Sequence, residues 1–326
     1  MPATNPLVSV VVPCFNAKAT VKQTLDSIAM QKTDFEVQVL IGDDCSTDGT
    51  QDLLRSIQGD YPEGFEFLLR PQNMGERGNK NCQDLLHRCR GKYMAILEAD
   101  DFWTYDGKLQ AQVDFLESHP DYVACYHHVT VVGADSKPNG EKYPECPKGE
   151  YDWNEFFLCS LPGQTGTSVY RREEFAHARD AFTSMQQYDF YAADRRNAFC
   201  LLTCGRIKCM PQTWGAYRHV KKGGSSYSAN VRIDEDYARN EILFGRTCVM
   251  FAQSLGNPDA IEAAKLQYYR TYLKWTRRLP SATTFSRADC LGELRGERNR
   301  LRYRLCFIRW YATLGFRSLR GQGVTL

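Results

Sequence analysis

The feature that most constrains the fold is a regular alternation of short apolar segments and amphipathic segments between residues 7 and 118. The apolar segments are rich in β-branched residues, which is typical of buried parallel strands, whereas the amphipathic segments repeat apolar residues at helical spacing. Alternating strands and helices predict a doubly wound, mostly parallel α/β sheet flanked by helices. The predicted strands are 7–12, 35–41, 65–69 and 94–97, followed by an alternating strand at 122–132.

Polar side chains follow three of these strands: Asn16 follows the first, Asp43 and Asp44 the second, and Glu98, Asp100 and Asp101 the fourth. Ligands of doubly wound sheets bind beyond the carboxyl ends of the strands, where these side chains would converge. Burying the last three carboxylates unpaired would cost several kcal/mol. They indicate either a solvated acidic turn or a site for a divalent metal that carries a phosphorylated ligand, and the convergence favours the metal site.

Other motifs narrow the class of protein. The pattern GxGxxG does not follow the first strand and GxxxxGK[ST] is absent, which excludes an ordinary dinucleotide-binding or P-loop enzyme. The thirteen cysteines are scattered and form no CxxC pair, so we expect reduced thiols. Because the N-terminus does not resemble a signal peptide and no apolar run approaches the length of a membrane span, we expect a cytoplasmic protein.

Charge is distributed unevenly along the chain. Residues 261–326 contain 14 Lys and Arg against 4 Asp and Glu, although the whole chain carries a net charge of only +2. Leucines at helical spacing among the arginines of 286–320 predict a basic amphipathic helix that contacts an anionic membrane surface from the cytoplasmic side. The alternatives are a helix that packs on the rest of the chain or on a second copy in a homo-oligomer. Nucleic acid is not expected as a partner, since the rest of the chain is acidic.

Residues 7–128 resemble the GT-A fold of the inverting glycosyltransferases of family 2. The resemblance rests on an ordered set of segments: 11–16 (VVPCFN), 43–50 (DDCSTDGT), Asn73 with Gly75, 98–103 (EADDFW) and 108–109 (KL). The second half resembles the family more loosely, through Thr167-Ser168 before Arg171-Arg172, and through 217–219 (YRH). The resemblance implies transfer of a sugar from a nucleotide-diphosphate sugar, most simply a UDP-sugar, to a hydroxyl of a glycan or lipid-linked glycan, with Mn²⁺ or Mg²⁺ as cofactor.

The resemblance also implies roles for individual residues. Asp44 would lie beside the nucleoside base, and Asp100 and Asp101 would lie at the ribose and the metal. Other expected donor-site contacts are Pro13, Asn16, Asp43, Arg77, Lys80, Glu98 and Ala99. The expected metal ligands are Asp101, Asp100 and His219. Glu98 departs from the family, which usually has aspartate there, so its contact with ribose, metal or water stays open.

An inverting transfer also needs a general base for the acceptor hydroxyl. The resemblance assigns this role to Asp194, with Asp189 as the rival, and either carboxylate could instead complement a helix dipole. Two further alternatives concern Trp103, which either packs or stacks on sugar, and the pair Arg171-Arg172, which is either solvated or a clamp on an anionic acceptor.

The predicted domains are a catalytic domain at 1–230 and a basic helical extension at 231–326. The catalytic domain would consist of a nucleotide-binding half (1–128) and an acceptor half (129–230). Two other functions are alternatives: a degenerate, non-catalytic scaffold in a glycan assembly complex, and a sugar-phosphate nucleotidyltransferase. The second usually has a glycine-rich, arginine-containing loop after the first strand, which Pro13–Ala17 does not provide.

Overall fold

The computed structural model describes residues 5–158, 160–189, 191, 193–220, 232–279, 286–298, 300–305 and 308; the side chains of Arg77, Arg277 and Arg287 lie outside that description. The chain forms two compact units. The first unit comprises 1–150, 162–175 and 205–230, and the second comprises 151–161, 176–204 and 231–326. A single boundary at residue 230 therefore does not separate them, because two earlier segments pack with the C-terminal helices rather than with the sheet.

The first unit is built on a mixed sheet with the strand order β3-β2-β1-β4-β8-β6-β9-β5. Its strands are β1 (Val8–Cys14), β2 (Val37–Asp43), β3 (Phe65–Leu69), β4 (Tyr93–Ile96), β5 (Phe102–Trp103), β6 (Tyr122–Val132), β8 (Val169–Arg171) and β9 (Arg206–Arg218); the short β7 (Glu150–Tyr151) pairs with β9. The first four strands are mutually parallel, as are β6 and β9, whereas β8 and β5 are antiparallel to their neighbours.

Among the described residues of the first unit, four α-helices accompany these strands: α1 (Val21–Ala29), α2 (Thr50–Ile57), α3 (Asn79–His87) and α4 (Lys108–Ser118). Alternate residues of β1 lie in one core with the apolar face of α1, including Val10, Val12, Val21 and Leu25, all of which are buried. Short 3₁₀ turns follow α2 and precede α3 and β8. The predicted doubly wound, mostly parallel α/β architecture is confirmed, with β8 and β5 as the antiparallel strands.

The strand β1 continues through Pro13, where the sequence predicted its end. Its pairing with β4 stops at Val11, but its pairing with β2 continues to the register Cys14 with Asp43. Proline has no N–H to donate, so it is tolerated where a strand has lost one of its two neighbours. As a consequence, the two strands carry Asn16 and Asp43 to the same edge of the sheet.

The second unit is helical. Its helices are α5 (Trp153–Phe157), the greater part of α6 (Arg172–Ser184), α7 (Ala193–Cys204), α8 (Glu235–Leu255), α9 (Pro258–Arg278) and α10 (Arg287–Gly296). The chain turns between α8 and α9 at 256–257: Gly256 adopts a left-handed conformation, and the Asn257 side chain accepts the Asp259 and Ala260 N–H groups that begin α9. Gly and Asn are favoured at these two positions because glycine tolerates positive φ and asparagine caps free N–H groups.

The C-terminal helix predicted as continuous is interrupted. The helix α10 ends at Gly296, Glu297 is extended, and helical structure returns at residues 300–305 and 308. The regular leucine spacing therefore crosses a helix end, so its members do not share one face: Leu294 is buried and Leu301 is exposed. Among the described helices, none is both long enough and apolar enough to cross a membrane.

Candidate functional site

The acidic turn after β4 buries one of its carboxylates. The side chain of Asp101 is almost fully buried; its Oδ1 accepts the Arg218 backbone N–H at 2.7 Å, and its Oδ2 accepts the Gln164 amide at 2.8 Å. The Asp101 carbonyl accepts the hydroxyl of Thr24 at 2.7 Å. Two segments that are distant in sequence thus fix the orientation of this carboxylate, and a third holds the backbone of Asp101.

Arg218, at the end of β9, supports the same turn. Its Nε donates to the Asp100 carbonyl at 2.8 Å, and its Nη atoms donate to the carbonyls of Gly133 and Ala134 and to the side chains of Gln23 and Ser136. Only Arg offers five donors in a planar arrangement, so a Lys could not make this set of contacts. The sequence placed Arg218 in the family-like segment 217–219 but did not predict these contacts.

Gln164 is a site residue that no pattern in the sequence pointed to. Its Nε2 reaches Asp101 at 2.8 Å and Glu98 at 3.4 Å, while its Oε1 accepts the Gly166 N–H at 2.6 Å. Two further hydrogen bonds hold the turn that carries Gln164. The Trp103 indole donates to the Gly166 carbonyl at 2.7 Å, and the Gln112 amide donates to the Thr167 carbonyl at 2.9 Å. Trp103 is therefore a buried packing residue, which resolves its two alternatives.

Electrostatics at the acidic turn favour a cation. Burial raises the pKa of Asp101 well above its usual value, and repulsion from Asp100 and Glu98 raises it further. Burial also raises the pKa of Asp100, while the Arg218 charge opposes the increase at both residues. A bound cation would stabilise the ionised carboxylates and reverse these increases.

A second group of predicted residues lies at the ends of β1 and β2. The carboxylate of Asp43 is buried and accepts the Ser46 N–H at 3.0 Å, the Ser46 hydroxyl and the Gln51 amide at 2.7 Å. The Asn16 side chain accepts the Thr47 N–H at 2.8 Å, which ties the loop after β1 to the loop after β2. Asp43 thus orders the loop after β2.

Asp44 is held by hydrogen bonds to the loop that contains Asn73 and Met74. Asp44 is buried, and its carboxylate accepts the Met74 N–H at 2.7 Å and the Asn73 amide at 3.1 Å. Beside Asn16, whose φ of 50° is in the left-handed region, the ring of Phe15 is 45% exposed. The backbones of the two segments are adjacent, because the Asp44 N–H donates to the Cys14 carbonyl at 2.9 Å. An exposed aromatic ring can stack on a nucleobase, and a carboxylate can accept hydrogen bonds from one.

Hydrogen bonds from Thr20, the N-cap residue of α1, connect the loop after β1 to the acidic turn after β4. The Thr20 hydroxyl donates to the Ala99 carbonyl at 2.9 Å and to the Ala17 carbonyl at 3.3 Å. Ala99 is buried, and Pro13 lies partly buried within β1. The loops after β1 and β4, which carry Asn16 and the acidic turn, are therefore held together at one edge of the sheet.

The remaining predicted contacts in the first unit are placed as follows. Lys80 forms an exposed ion pair with Glu76 at 3.1 Å. The backbone of Arg77 is in the 3₁₀ turn Glu76–Gly78, and its side chain is among the parts outside the description. The Nδ1 of His219 lies 2.5 Å from Glu141, an arrangement that in metal sites orients the other ring nitrogen toward the metal.

Arg171 and Arg172 are neither solvated nor a clamp on an acceptor. The guanidinium of Arg171 donates to the carbonyls of Tyr122 and Leu116, and that of Arg172 donates to the Gly91 carbonyl. In the sheet register Arg171 lies opposite Tyr93, at the start of β4. Since the acidic turn follows the other end of β4, both arginines stabilise the sheet away from that turn.

The two candidate bases belong to the second unit. Asp194 lies in the first turn of α7, and Asp189 precedes that helix, with its N–H donating to the Asn240 side chain at 2.9 Å. Asp194 has the helix-start position expected from the dipole alternative, so its place in the helix does not distinguish that role from catalysis.

The residues of the acidic turn suit a divalent metal in type and charge. Among the described residues, no three His, Cys, Asp or Glu side chains form a ready metal cage, so Asp100, Asp101 and His219 do not make a complete ligand set. Mg²⁺ and Mn²⁺ accept carboxylate oxygens, and Mg²⁺ is commonly held by one or two carboxylates with substrate phosphates and water. The buried Asp101, beside two further carboxylates, fits such an open site.

Comparison with known proteins identifies the family of the chain. The model of the family "Glycosyl transferase family 2" matches residues 9–176. An uncharacterized protein of Mycobacterium tuberculosis is 32% identical over 215 residues, which are 66% of this chain and 59% of that protein. The chain thus spans less than two thirds of that relative's length. The Escherichia coli enzyme named UDP-Glc:alpha-D-GlcNAc-diphosphoundecaprenol beta-1,3-glucosyltransferase WfaP is 32% identical over 112 residues, 34% of this chain and 42% of WfaP.

A solved structure has a similar fold. The crystal structure of S. aureus TarS 1-349 in complex with UDP-GlcNAc superposes with a TM-score of 0.61 and 16% identity, over 97% of this chain and 93% of that one. Identity this low bears on the fold alone. The family match, which covers more than half of the sequence, decides the classification. The chain belongs to glycosyl transferase family 2 and has its GT-A fold.

Proposed function

We propose that the protein is an inverting, metal-dependent glycosyltransferase that moves a sugar from a UDP-sugar to a hydroxyl of a glycan or lipid-linked glycan. The observation that carries the proposal is the buried carboxylate of Asp101, held by Gln164 and Arg218 beside Asp100 and Glu98. Similarity supports the substrates: TarS forms a complex with UDP-GlcNAc, and the WfaP name specifies a UDP-glucose donor and a diphosphoundecaprenol-linked acceptor.

In this proposal the ends of β1 and β2 bind the nucleoside. The Asp44 carboxylate accepts hydrogen bonds from the base, Phe15 stacks on it, and Asn16 shapes the pocket through its bond to the loop after β2. Asp43 keeps that loop ordered, as its three hydrogen bonds support. Lys80 and Arg77, next to the Asn73 loop, would approach the base or the phosphate.

The acidic turn would receive the diphosphate. Asp101, with Asp100, would hold Mn²⁺ or Mg²⁺, which neutralises charge that develops on the departing nucleotide. Glu98 would contact the ribose or a metal-bound water, and His219 would face the diphosphate with Glu141 fixing its ring. Gln164 and Arg218 hold the Asp101 carboxylate so that it does not need to reorient during the reaction.

The transfer would be a single displacement. The acceptor oxygen forms a bond to the anomeric carbon as the bond to the diphosphate oxygen breaks, which inverts that carbon. The acceptor proton passes to Asp194, with Asp189 as the alternative base. This assignment is supported by the family resemblance of the segment that contains both residues.

A donor screen tests the proposal. Purified protein with Mn²⁺ or Mg²⁺ is incubated with individual nucleotide sugars and glycan or lipid-linked acceptors, and release of UDP is measured. We expect metal-dependent release from a UDP-sugar and a loss of at least a hundredfold in Asp194→Asn, whereas Asp189→Asn retains most activity. Binding of UDP without turnover of any donor would favour the scaffold alternative, and loss confined to Asp189→Asn would exchange the two roles.

A further inference from the structure

A short helical segment near the C-terminus exposes apolar side chains. In residues 300–305 and 308, the side chains of Leu301, Leu305 and Ile308 are 68%, 65% and 67% exposed. Residues four apart on an α-helix are turned by about 40° from one another, so Leu301 and Leu305 lie on one side of the segment 300–305, and Ile308 is the next helical residue described. We call this surface the Leu301 face; it consists of Leu301, Leu305 and Ile308.

The opposite side of the segment is fixed in place. Tyr303 points away from the Leu301 face by helical geometry, is buried, and packs on Tyr269 with ring centroids 6.1 Å apart. The turn before the segment is held by Glu297, which pairs with Lys265 at 2.8 Å and accepts the Tyr269 hydroxyl at 3.0 Å. The segment therefore cannot rotate to bury the Leu301 face without giving up these contacts.

Arginines border the Leu301 face. Residues 298–309 contain five arginines and no acidic residue. Arg300 and Arg304 lie on one flank of the face by helical geometry, and Arg302 lies on the other, where it pairs with Glu262 at 2.8 Å while remaining 65% exposed. An apolar face between cationic flanks matches the boundary between headgroups and acyl chains of an anionic bilayer.

The same charges disfavour a second copy as the occupant. Two copies joined through the Leu301 face would bring the arginines of one against those of the other, and like charges in contact oppose association. An anionic bilayer offers apolar depth for the three side chains and negative charge for the guanidinium groups. Long arginine side chains can place their charges at headgroup level while their stems remain beside the apolar face.

We propose that the Leu301 face is the contact of this protein with an anionic membrane surface, inserted to the depth of the headgroups. The proposal does not rest on the donor chemistry, because it uses only residues of the second unit. The sequence predicted a membrane-contacting helix over residues 286–320, and the proposal assigns the contact to the Leu301 face within this range. The helix α10 is excluded from the contact, because its Cys290 and Leu294 are buried in the unit's own core.

Vesicle flotation of the full chain tests this proposal. We expect flotation with vesicles that contain phosphatidylglycerol, release at high salt, and at least tenfold weaker flotation with pure phosphatidylcholine vesicles. A triple variant, Leu301→Gln with Leu305→Gln and Ile308→Gln, should reduce binding to the anionic vesicles at least tenfold. A matched control, Ile233→Gln with Leu255→Gln, changes two exposed apolar residues elsewhere in the second unit and should float like the wild type.

Two further measurements keep the result interpretable. Melting temperature and circular dichroism of the triple variant should match the wild type, since the changed side chains are exposed; light scattering gives the oligomeric state of both.

Absence of flotation in the wild type, or equal flotation of the triple variant, would overturn the proposal. A wild-type dimer that the triple variant converts to a monomer, without vesicle binding by either, would assign the face to a second copy. Binding of UDP should be unchanged in every variant, so failure of the donor site is seen separately.

Discussion

At the scale of single residues, the acidic side chains of the candidate site were visible in the sequence, but the groups that orient them were not. Asp100 and Asp101 follow an apolar strand directly, so local order reveals them. Gln164 and Arg218 reach the Asp101 carboxylate from 63 and 117 positions along the chain. No spacing rule connects such positions, because the contact is produced by the order of the strands in the sheet.

A substitution at Gln164 tests the importance of this orientation. Gln164→Leu removes the donor from a buried oxygen of Asp101, so we expect a loss of about 1–3 kcal/mol in the free energy of unfolding. We also expect at least tenfold weaker binding of Mn²⁺ with UDP. Urea unfolding and calorimetric titration measure the two effects, with Gln58→Leu, an exposed position, as the control. Unchanged stability together with unchanged metal binding would show that Gln164 does not position the carboxylate.

Lys108 provides a pH-dependent test of the buried packing around Trp103 and Ser168. Its amine is fully buried, donates to the Ser168 carbonyl at 3.3 Å and lies 4.0 Å from the centre of the Trp103 ring. The aromatic face favours the charged form, but burial has the larger effect and lowers the Lys108 pKa from 10.5 to about 7. At pH values between about 7 and 10.5, the Lys108 amine is mostly protonated in the unfolded chain but mostly neutral in the folded protein. The contribution of Lys108 to stability therefore increases as the pH rises through this range.

We therefore expect Lys108→Met to remove part of the pH dependence of stability. Between pH 7 and pH 9, the melting temperature of the wild type should rise relative to that of the variant, because the variant has no buried amine to deprotonate. Differential scanning calorimetry at both pH values measures the difference, and Lys137→Met serves as an exposed control. A constant offset between wild type and Lys108→Met at both pH values would contradict a depressed pKa.

At the scale of elements, strands with strong hydrophobic periodicity were predicted accurately, whereas a helix that follows a strand without an intervening loop was missed. The predicted strands Phe65–Leu69 and Tyr122–Val132 are confirmed to the residue. The helix α6 was missed because it begins at Arg172, immediately after the strand that ends at Arg171, and no turn residue separates them. Conversely, α10 ends at Gly296 and Glu297 is extended although the leucine spacing continues, so this apolar pattern does not correspond to one helix face.

The contact between β2 and α3 gives a prediction at this scale. A Cβ on Gly42 would lie 2.7 Å from the Asn81 side-chain oxygen and 2.8 Å from a Leu85 methyl carbon, and the Asn81 amide donates to the Gly42 carbonyl at 2.7 Å. Gly42→Ala should therefore destabilise the protein by about 1–3 kcal/mol, as overpacking does. Gly59→Ala meets no atom within 4 Å and should change stability by less than about 0.5 kcal/mol. Denaturant unfolding compares the two; equal effects would contradict tight packing of α3 on β2.

At the scale of the whole molecule, the alternating strands and helices of the N-terminal part were predictable, but the partition into compact units was not. The ordered motifs between 11 and 109 all lie in the first unit, where consecutive strands and helices pack locally. The chain then enters the second unit three times, at 151–161, at 176–204 and after residue 230. Such crossings leave no signal in composition, because helices from separate segments share one core only after folding. The bases proposed from the resemblance lie in this less predictable half.

The central claim is that the acidic turn after β4 binds a metal together with the donor nucleotide, and calorimetric titration of UDP with and without Mn²⁺ tests it most directly. The wild type should bind UDP with a heat that depends on Mn²⁺. Asp101→Asn keeps the shape and the Arg218 contact of the side chain but lacks its charge, so it should lose the metal-dependent part, at least a hundredfold in affinity. If Asp101→Asn binds UDP with the same affinity and the same dependence on Mn²⁺ as the wild type, the claim is wrong.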